Sequence, residues 1–273
     1  MYFRNGTLPP LTPVVKNLII ANVLVLVAQF TFSQNGLVDM YQLFAQHHFL
    51  SPHFRPWQLL TACFMHANFS HLLGNMIGIY VFGSWLENVW GAKKFLKFYF
   101  ICGIGAGIIS GLATYIETFG AIEQINAFLA TPDFKKFNEL VGKQAYNKFE
   151  GVGELLNAWS KNQARPDLAG QAFELVTALK SFETSGIALG ASGALFGLIA
   201  GSAYLFPNDT IYVQFFIPVK MKWLALFYGA GELFLALQNN PQDQVGHVAH
   251  LGGGLVGFIL VYYWNKKNRR NFY

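Results

Sequence analysis

Charged residues are scarce in this chain of 273 residues, because Asp, Glu, Lys and Arg together make up only 12%. A soluble domain carries about a quarter, and the hydrophobic share here reaches 53%. The shortage of charge excludes an ordinary soluble protein and indicates one whose solvent is largely lipid. Cysteine is rare as well. Cys63 and Cys102 lie in or beside apolar stretches, so we interpret them as packing residues rather than a disulfide.

Two familiar signatures are also missing. The apolar run 18–32 is not followed by a small-residue cleavage site, so we expect it to remain as a membrane anchor rather than to act as a cleaved signal peptide. No His-Glu-x-x-His occurs, and this absence argues against one class of zinc hydrolase.

Six stretches are long and apolar enough to be considered as membrane spans, since about 17–25 residues cross the hydrocarbon. They cover about 13–32, 68–89, 95–115, 186–206, 221–237 and 245–264. If the six spans alternate in direction, most basic residues lie at span ends on the same side of the membrane. These residues are Arg4, Lys16, Lys93, Lys94, Lys97, Lys220, Lys222, Lys266, Lys267, Arg269 and Arg270. Positive loops mark the cytoplasmic side. The pattern therefore predicts a multi-pass protein of the cell membrane (the inner membrane in a Gram-negative bacterium) with cytoplasmic termini.

Residues 117–185 interrupt this pattern because they are polar and charged. Their apolar residues recur at helical spacing: Phe134, Phe137, Leu140, Val141, Leu155, Leu156 and Trp159. We predict an all-α membrane protein in which residues 1–116 and 186–273 are the two halves of a six-helix bundle. Residues 117–185 form a helical, extracytoplasmic insert between spans three and four, which either restricts or recruits substrates or is a tolerated addition.

The first loop, residues 33–65, is rich in aromatic residues and histidine but has few charges. That composition suits a segment lying in the membrane interface. It is either a support for substrate entry or a plain interfacial loop.

Polar residues inside spans are expensive and are functional hypotheses by default. His71 and Asn75 in span two are four residues apart, so they share one face of a helix. An imidazole and an amide on one face can donate hydrogen bonds to a developing oxyanion, or they can join two helices. His66 precedes them at the entry to the helix.

Span four contains a serine among small residues. Gly193, Gly197 and Gly201 recur every four residues next to Ser192 and form a smooth stripe that lets another helix come close. This is not the nucleophile elbow of soluble hydrolases, because Ala194 stands where that motif has glycine. Taken alone, Ser192 is one more small packing residue.

Span six supplies a histidine on a glycine-lined face. Gly253 and Gly257 lie three and seven residues after His250, so all three face one neighbouring helix. The two glycine faces would bring Ser192 and His250 within hydrogen-bonding reach, and a base makes a serine nucleophilic. His71, Asn75 and the backbone N–H of Ser192 are the candidate oxyanion donors.

No carboxylate is expected to orient His250, since Glu87 lies at the end of span two and Glu232 lies within span five. We therefore predict a Ser–His dyad whose histidine is oriented by packing. Phe196, one turn after Ser192, is placed to stack on the imidazole.

The combination resembles the rhomboid family of intramembrane proteases. The residues that carry the resemblance are His66, His71 and Asn75 in span two, Gly190, Ala191, Ser192 and Gly193 in span four, and Ala249, His250, Gly253 and Gly257 in span six. The resemblance implies a serine endopeptidase that cleaves transmembrane segments of other membrane proteins within the bilayer. It also implies that the active site opens to the extracytoplasmic side, that no cofactor or metal takes part, and that nucleic acid is not a partner.

Roles follow residue by residue from the resemblance. Ser192 would be the nucleophile and His250 its base, with His71 and Asn75 as oxyanion donors. His66 would support the fold near the site, and Glu87 would tie the cytoplasmic end of span two. One departure is Trp57–Gln58, where many members have Trp-Arg.

The same spans and polar residues leave three rival functions. A transporter or channel would show internal repeats or paired broken helices, and none is seen. A zinc enzyme could use the histidines at 66, 71, 247 and 250, although His66 and His71 are five residues apart, which is awkward for one helical face. A catalytically inactive relative would not need both Ser192 and His250.

Overall fold

Helices dominate the computed structural model, which describes residues 9–34, 36, 38–144, 149, 151–213, 217–238 and 245–268. The helices are α1 Pro13–Gln34, α2 Met40–Phe44, α3 Gln58–Thr61, α4 Phe69–Gly78, α5 Ser84–Trp90, α6 Ala92–Ala130, α7 Phe134–Gln144, α8 Val152–Lys161, α9 Pro166–Glu183, α10 Ser192–Leu205, α11 Met221–Gln238 and α12 His247–Asn268. The short strands are β1 Gln46–His47, β2 Ile187–Ala188, β3 Thr210–Val213 and β4 Ile217–Lys220. Strands β3 and β4 pair antiparallel, with Thr210 opposite Lys220 and Val213 opposite Ile217.

Several residues used in the sequence analysis lie outside the described residues. They are Arg4, Arg269 and Arg270 of the terminal basic clusters. Residues 239–244, between predicted spans five and six, also lie outside the described residues.

Three described helices are long and apolar enough to cross a membrane: Pro13–Phe32, Ala92–Ala130 and His247–Lys266. Ser192–Leu205 is apolar but shorter. The faces of these helices expose large hydrophobic side chains, such as Leu24 and Leu255, as expected of surfaces that meet lipid rather than water. The count of six spans stays a prediction.

The second predicted span consists of three consecutive helical segments. Helix α4 begins after Asn68, whose side chain accepts a hydrogen bond from the backbone N–H of His71, an N-cap arrangement. A π-helical turn, Ile79–Gly83, joins α4 to α5. Helix α5 ends at Gly91, where φ is +74° and glycine avoids the strain of a left-handed backbone.

Two helices end or begin away from the boundaries expected for spans three and four. Helix α6 continues to Ala130 instead of ending near residue 115, because no proline interrupts it before Pro132 and a change from apolar to polar residues does not itself end a helix. The polar insert that we expected from residue 117 therefore begins inside α6. Helix α10 begins at Ser192 rather than near residue 186, since residues 187–188 are extended and Gly190 has a positive φ of 124°.

Contacts divide the chain into two compact units. The first comprises Met1–Gln46, His53–Gly111 and Ile187–Tyr273, and the second His47–Pro52 and Leu112–Gly186. The second unit has its own core, in which Phe137, Val141 and Trp159 are fully or almost fully buried with Phe128 and Val176. The helical spacing of apolar residues in the sequence corresponds to this core.

The first unit holds the residues of the candidate site. Its core includes Leu72 and Met76 of α4, Phe98 and Cys102 of α6, and Leu198 of α10. Within the described residues, α10 and α12 share the most extensive contact of any two elements. This helix pair positions the serine and the histidine.

Candidate active site

Ser192 is the first residue of α10. Gly190, two residues earlier, turns the chain into the helix with a φ of +124°, and its backbone N–H donates to the carbonyl of Ala62 at 2.9 Å. The first N–H groups of a helix have no acceptor within the helix and carry partial positive charge. The serine hydroxyl therefore lies at a backbone end that can stabilise a negative oxygen.

His250 lies in the first turn of α12 and contacts Ser192 directly. The distance from His250 Nε2 to Ser192 Oγ is 2.8 Å, although the residues are 58 positions apart. The imidazole stacks on the Phe196 ring, with centroids 4.4 Å apart and planes 7° from parallel. This contact fixes the plane of the imidazole and corresponds to the stacking predicted from the sequence.

Glycine permits this approach at the crossing of α10 and α12. A Cβ added at Gly253 would lie 1.9 Å from the carbonyl oxygen of Gly193, and one added at Gly257 would lie 2.7 Å from Cα of Gly197. A Cβ at Gly193 would meet Cβ of Ala106 at 2.5 Å. The two helices thus touch backbone to backbone, and their first turns meet at the serine and the histidine.

A carboxylate that sequence reasoning set aside lies beside His250. Glu232 Oε2, from α11, is 2.6 Å from His247 Nδ1 and 3.0 Å from His250 Nδ1. The expectation that no carboxylate reaches His250 was therefore wrong. It failed because the proximity depends on how α11 packs on α12, which no local pattern specifies. The signal that could have found Glu232 is a carboxylate in an otherwise apolar span.

Among the described residues, one group of side chains could hold a metal ion. The ligand atoms of Glu232, His247 and His250 lie within 4.8 Å of one another. Two ligands of a tetrahedral zinc, each about 2.0 Å from the ion, are about 3.3 Å apart. The Nδ1–Oε2 separation of 2.6 Å between His247 and Glu232 is shorter. It fits a direct hydrogen bond, so the side chains as placed do not fit an ion.

His71 lies next to the serine across Gly190. A Cβ at Gly190 would lie 2.9 Å from His71 Nε2 and 3.5 Å from Ser192 Oγ. Glycine is therefore required at position 190 for two reasons: its φ is positive, and a Cβ would overlap the His71 ring. Asn75, the other predicted oxyanion donor, is buried, and its Nδ2 donates to the carbonyl of His71 at 3.1 Å. The structure thus brings His71 to the serine and shows Asn75 bonded within its own helix.

His66 is fully buried, and its backbone is clamped by a side chain of α1. Gln29 Nε2 donates to the His66 carbonyl at 3.0 Å, and the His66 N–H donates to Gln29 Oε1 at 3.1 Å. The His66 ring contacts the His71 ring edge-on, with centroids 5.0 Å apart. The sequence analysis missed Gln29, although a glutamine within an apolar span was a usable signal.

Glu87 ties the start of α1 to the end of α5. Its carboxylate accepts hydrogen bonds from Thr12 Oγ1 at 2.5 Å and from the N–H groups of Val14 and Val15 at 3.1 and 3.0 Å. An acid at a helix N-terminus satisfies otherwise unpaired donors. Trp85 and Trp90, on either side of Glu87, pack against Phe206 after α10 and Trp264 near the end of α12. Glu87 therefore lies at the opposite end of the helix bundle from the first turns of α10 and α12.

A cavity of about 210 Å³ opens beside His250 between α10, α11 and α12. Its lining is mostly apolar and includes Phe196, Tyr228 and Leu255. A pocket with apolar walls and one polar edge suits an apolar segment presented to the histidine.

The apolar helices define the class of this protein, a multi-pass membrane protein. A family model of the rhomboid domain matches residues 53–131 and 168–267, a range that includes Ser192, His250 and Glu232 and also His71 and Asn75. The chain belongs to the rhomboid family. The resemblance seen in its motifs is thereby confirmed.

Individual relatives agree with this assignment. RHOMBOID-like protein 12, mitochondrial, of Arabidopsis thaliana is 27% identical over 246 residues, which are 90% of this chain and 56% of that protein. Rhomboid protease AarA of Providencia stuartii is 23% identical over 211 residues, 75% of this chain and 54% of that protein. The putative rhomboid protease YdcA of Bacillus subtilis is 40% identical over 60 residues, 22% of this chain and 28% of that protein. The chain spans about half the length of the first two.

Proposed function

We propose that this protein is an intramembrane serine endopeptidase that cleaves transmembrane segments of other membrane proteins, with Ser192 as nucleophile and His250 as base. The observation that carries the proposal is the 2.8 Å contact between His250 Nε2 and Ser192 Oγ. A base within hydrogen-bonding reach of a hydroxyl is the geometry that nucleophilic catalysis requires. Membership of a family that includes a named protease supports it.

The first half-reaction forms an acyl-enzyme. His250 Nε2 takes the proton of Ser192 as Oγ attacks the carbonyl carbon of the scissile peptide bond. The carbonyl oxygen becomes an oxyanion, for which the N–H groups at the start of α10 and the ring of His71 are the nearest donors. The tetrahedral species collapses, the C–N bond breaks, and His250 returns the proton to the leaving amine. We assign Asn75 to the same oxyanion, since its Nδ2 has a second N–H besides the one donated to the His71 carbonyl.

The second half-reaction releases the acyl group. Water gives a proton to His250 Nε2 as its oxygen adds to the ester carbonyl. The C–O bond to Ser192 then breaks, and His250 returns the proton to Ser192 Oγ. The imidazole alternates between base and acid in both halves, so the stacked Phe196 ring, which prevents the imidazole from tilting, serves each of them.

A topology of six spans with cytoplasmic termini is part of the proposal. Glu87 joins the ends of α1 and α5. Lys94 Nζ, at the start of α6, lies 5.4 Å from the Trp90 ring and 4.9 Å from the Trp264 ring near the end of α12. These contacts bring together the start of α1, the end of α5, the start of α6 and the end of α12, and basic residues adjoin each of these helix ends except that of α5. We assign this end of the bundle to the cytoplasmic side by the distribution of positive charge. The first turns of α10 and α12 then face the extracytoplasmic side.

A reporter with one membrane span, cleaved by purified protein in detergent or liposomes, tests the proposal. Wild type should cut it, Ser192→Ala should remove cleavage, and His250→Ala should leave only a small residual rate, while both variants remain folded. Ser202→Ala makes the same change on the same helix and should leave the rate unchanged. A mechanism-based serine probe should label wild type and Ser202→Ala but not Ser192→Ala. Cleavage that survives in Ser192→Ala would refute the assignment.

A further inference from the structure

Glu232 is the charged residue in the interior of α11, which is apolar between Lys222 near its start and Gln238 at its end. Residues after it on α11, including Leu233 and Phe234, are exposed as lipid-facing residues are, whereas the Glu232 side chain is only 13% exposed. A carboxylate at such a position is costly unless it is paired. A largely buried carboxylate in α11 therefore needs a specific partner.

Two histidines of α12 share one oxygen of this carboxylate. His247 Nδ1 donates a hydrogen bond to Glu232 Oε2 at 2.6 Å. His250 Nδ1 lies 3.0 Å from the same oxygen, but its N–H is not aligned with it, and among the described residues this buried nitrogen has no hydrogen-bond partner. The second contact is therefore a close electrostatic pair rather than a hydrogen bond.

The tautomer of His250 connects this contact to the chemistry. A base must present the lone pair of Nε2 to the Ser192 hydroxyl, and in the neutral ring this requires the proton to be on Nδ1. An oxygen anion 3.0 Å from Nδ1 attracts an N–H and repels a lone pair. It therefore selects the tautomer in which Nε2 is free to accept.

We propose that Glu232 is a positioning residue that fixes the tautomer and orientation of His250 and stabilises the imidazolium that forms when Ser192 gives up its proton. This inference rests on the proposed protease function and extends the dyad to a Ser192–His250–Glu232 relay. All proton transfers take place at Nε2 of His250; none reaches Glu232, which stays ionised throughout, as the acid does in the general serine-protease template.

His247 has the complementary task of holding the carboxylate in place before reaction. Its short hydrogen bond holds Oε2 in place. The carboxylate is therefore already positioned when positive charge appears on His250. When the His250 imidazolium forms, its Nδ1–H gains a stronger attraction to Oε2 and can align with it without displacing His247, since a carboxylate oxygen accepts more than one hydrogen bond.

Glu232→Gln tests the relay, because it keeps the shape and the acceptor oxygen but removes the charge. We expect kcat for the single-span reporter to fall about 10²-fold with KM within about twofold, less than the roughly 10⁴-fold loss known for the fully aligned template. Glu232→Asp retains the charge on a shorter side chain and should recover part of kcat. Active sites are counted by saturating labelling with the serine probe, so that kcat refers to folded enzyme only.

The decisive comparison repeats Glu232→Gln in the His250→Ala background. If Glu232 acts only by orienting and stabilising the His250 imidazole, it has no effect when that imidazole is absent. Glu232→Gln should therefore not lower the residual cleavage rate of His250→Ala any further. The proposal is overturned if Glu232→Gln lowers that residual rate as much as it lowers the wild-type rate. It is also overturned if the per-site kcat stays within about threefold of wild type while only the labelled fraction or the Tm falls, which is the result expected of a purely structural contact.

Two further outcomes distinguish the relay from a metal site and from a failure of the protease function itself. A chelator that inhibits wild type would assign the Glu232–His247–His250 cluster to a metal and overturn the relay. If Ser192→Ala still cleaves, or if wild type neither cleaves nor takes the probe, the proposed function fails and the relay fails with it. Loss in Ser192→Ala together with full activity in Glu232→Gln refutes the relay alone.

Discussion

Gly253→Ala is the sharpest perturbation of the helix crossing that holds the site. The added methyl carbon would lie 1.9 Å from the carbonyl oxygen of Gly193 and 2.7 Å from its carbonyl carbon, whereas ordinary contact begins at 3.4 Å. Both neighbours are backbone atoms, so no side chain can rotate away. The α10 and α12 backbones must separate by about 1.5 Å along that line, because close-packed interiors leave no slack to absorb the methyl group.

The separation acts where the chemistry occurs. Gly193 follows Ser192 directly, and Gly253 lies one turn after His250, so the 2.8 Å distance between Nε2 and Oγ opens with the crossing. A hydrogen bond is lost beyond about 3.5 Å, and misplacement by about 1 Å costs about 10²-fold in rate. Overpacking costs about 1–3 kcal/mol of stability. We therefore expect kcat to fall at least about 10²-fold in a protein that still folds.

The assay combines three measurements on the purified protein: kcat and KM for the single-span reporter, the rate of labelling of Ser192 by the serine probe, and Tm in the same detergent. Gly74→Ala is the control, since a Cβ there meets nothing within 4 Å; it should keep the wild-type rate and gain at most about 1 kcal/mol from helix propensity. A Gly253→Ala protein that folds and cleaves within about threefold of wild type would refute the close crossing as the reason that serine and histidine meet.

Three other predictions concern the imidazole, the first loop and the second unit. Phe196→Leu removes the ring stacked on His250 and should lower kcat about 3–10-fold in the reporter assay, because such pairs contribute about 0.5–1.5 kcal/mol. Gln58→Leu removes donors to the carbonyls of Gln42 and His53 and should cost about 2–3 kcal/mol, seen as faster proteolysis in residues 47–57. Asp133 caps α7 by accepting the Lys136 N–H at 2.8 Å, and Asp133→Ala should cost about 1 kcal/mol, measured as faster hydrogen exchange in α7.

The Asp133 cap also depends on pH. The backbone N–H of Lys136 and its ammonium group hold the pKa of Asp133 below its usual value. The folded state therefore binds the proton less readily than the unfolded chain, so the stabilisation is present above about pH 4 and is lost as pH falls through the lowered pKa. Asp133→Asn keeps the cap without titrating. Acid opening of α7 that is equal in Asp133→Asn and wild type would contradict this account.

Matched controls exist for the other two changes. Phe227→Leu alters an exposed ring of α11 and should leave kcat unchanged. Gln124→Leu makes the Gln58 change at an exposed position of α6 and should not alter proteolysis in the first loop. A control that reproduces its partner's effect would show that the contact named above is not the cause.

The family and the serine–histidine pair were predictable from residues close together in the sequence. Glycines every four residues beside Ser192, and at the third and seventh positions after His250, mark two faces that allow close helix contact, and each pattern is local. Those faces meet as expected, with the backbone of Gly253 against that of Gly193. Helix ends were less predictable, since α6 passes through the polar boundary near residue 117 without a break.

The amino-acid sequence by itself indicated that this protein lies largely in lipid, that it is helical, which family it belongs to, and that Ser192 and His250 form a pair. Composition and helical spacing carry this information, and both can be read without knowing how the helices pack. Only the tertiary structure decided which polar side chains meet. Gln29 clamps His66 from 37 residues away, and Glu232 reaches His247 across 15. Whether such groups touch depends on the rotation and crossing of packed helices. A shift of one residue turns a helix face by about 100°, and neighbouring sequence does not encode that rotation.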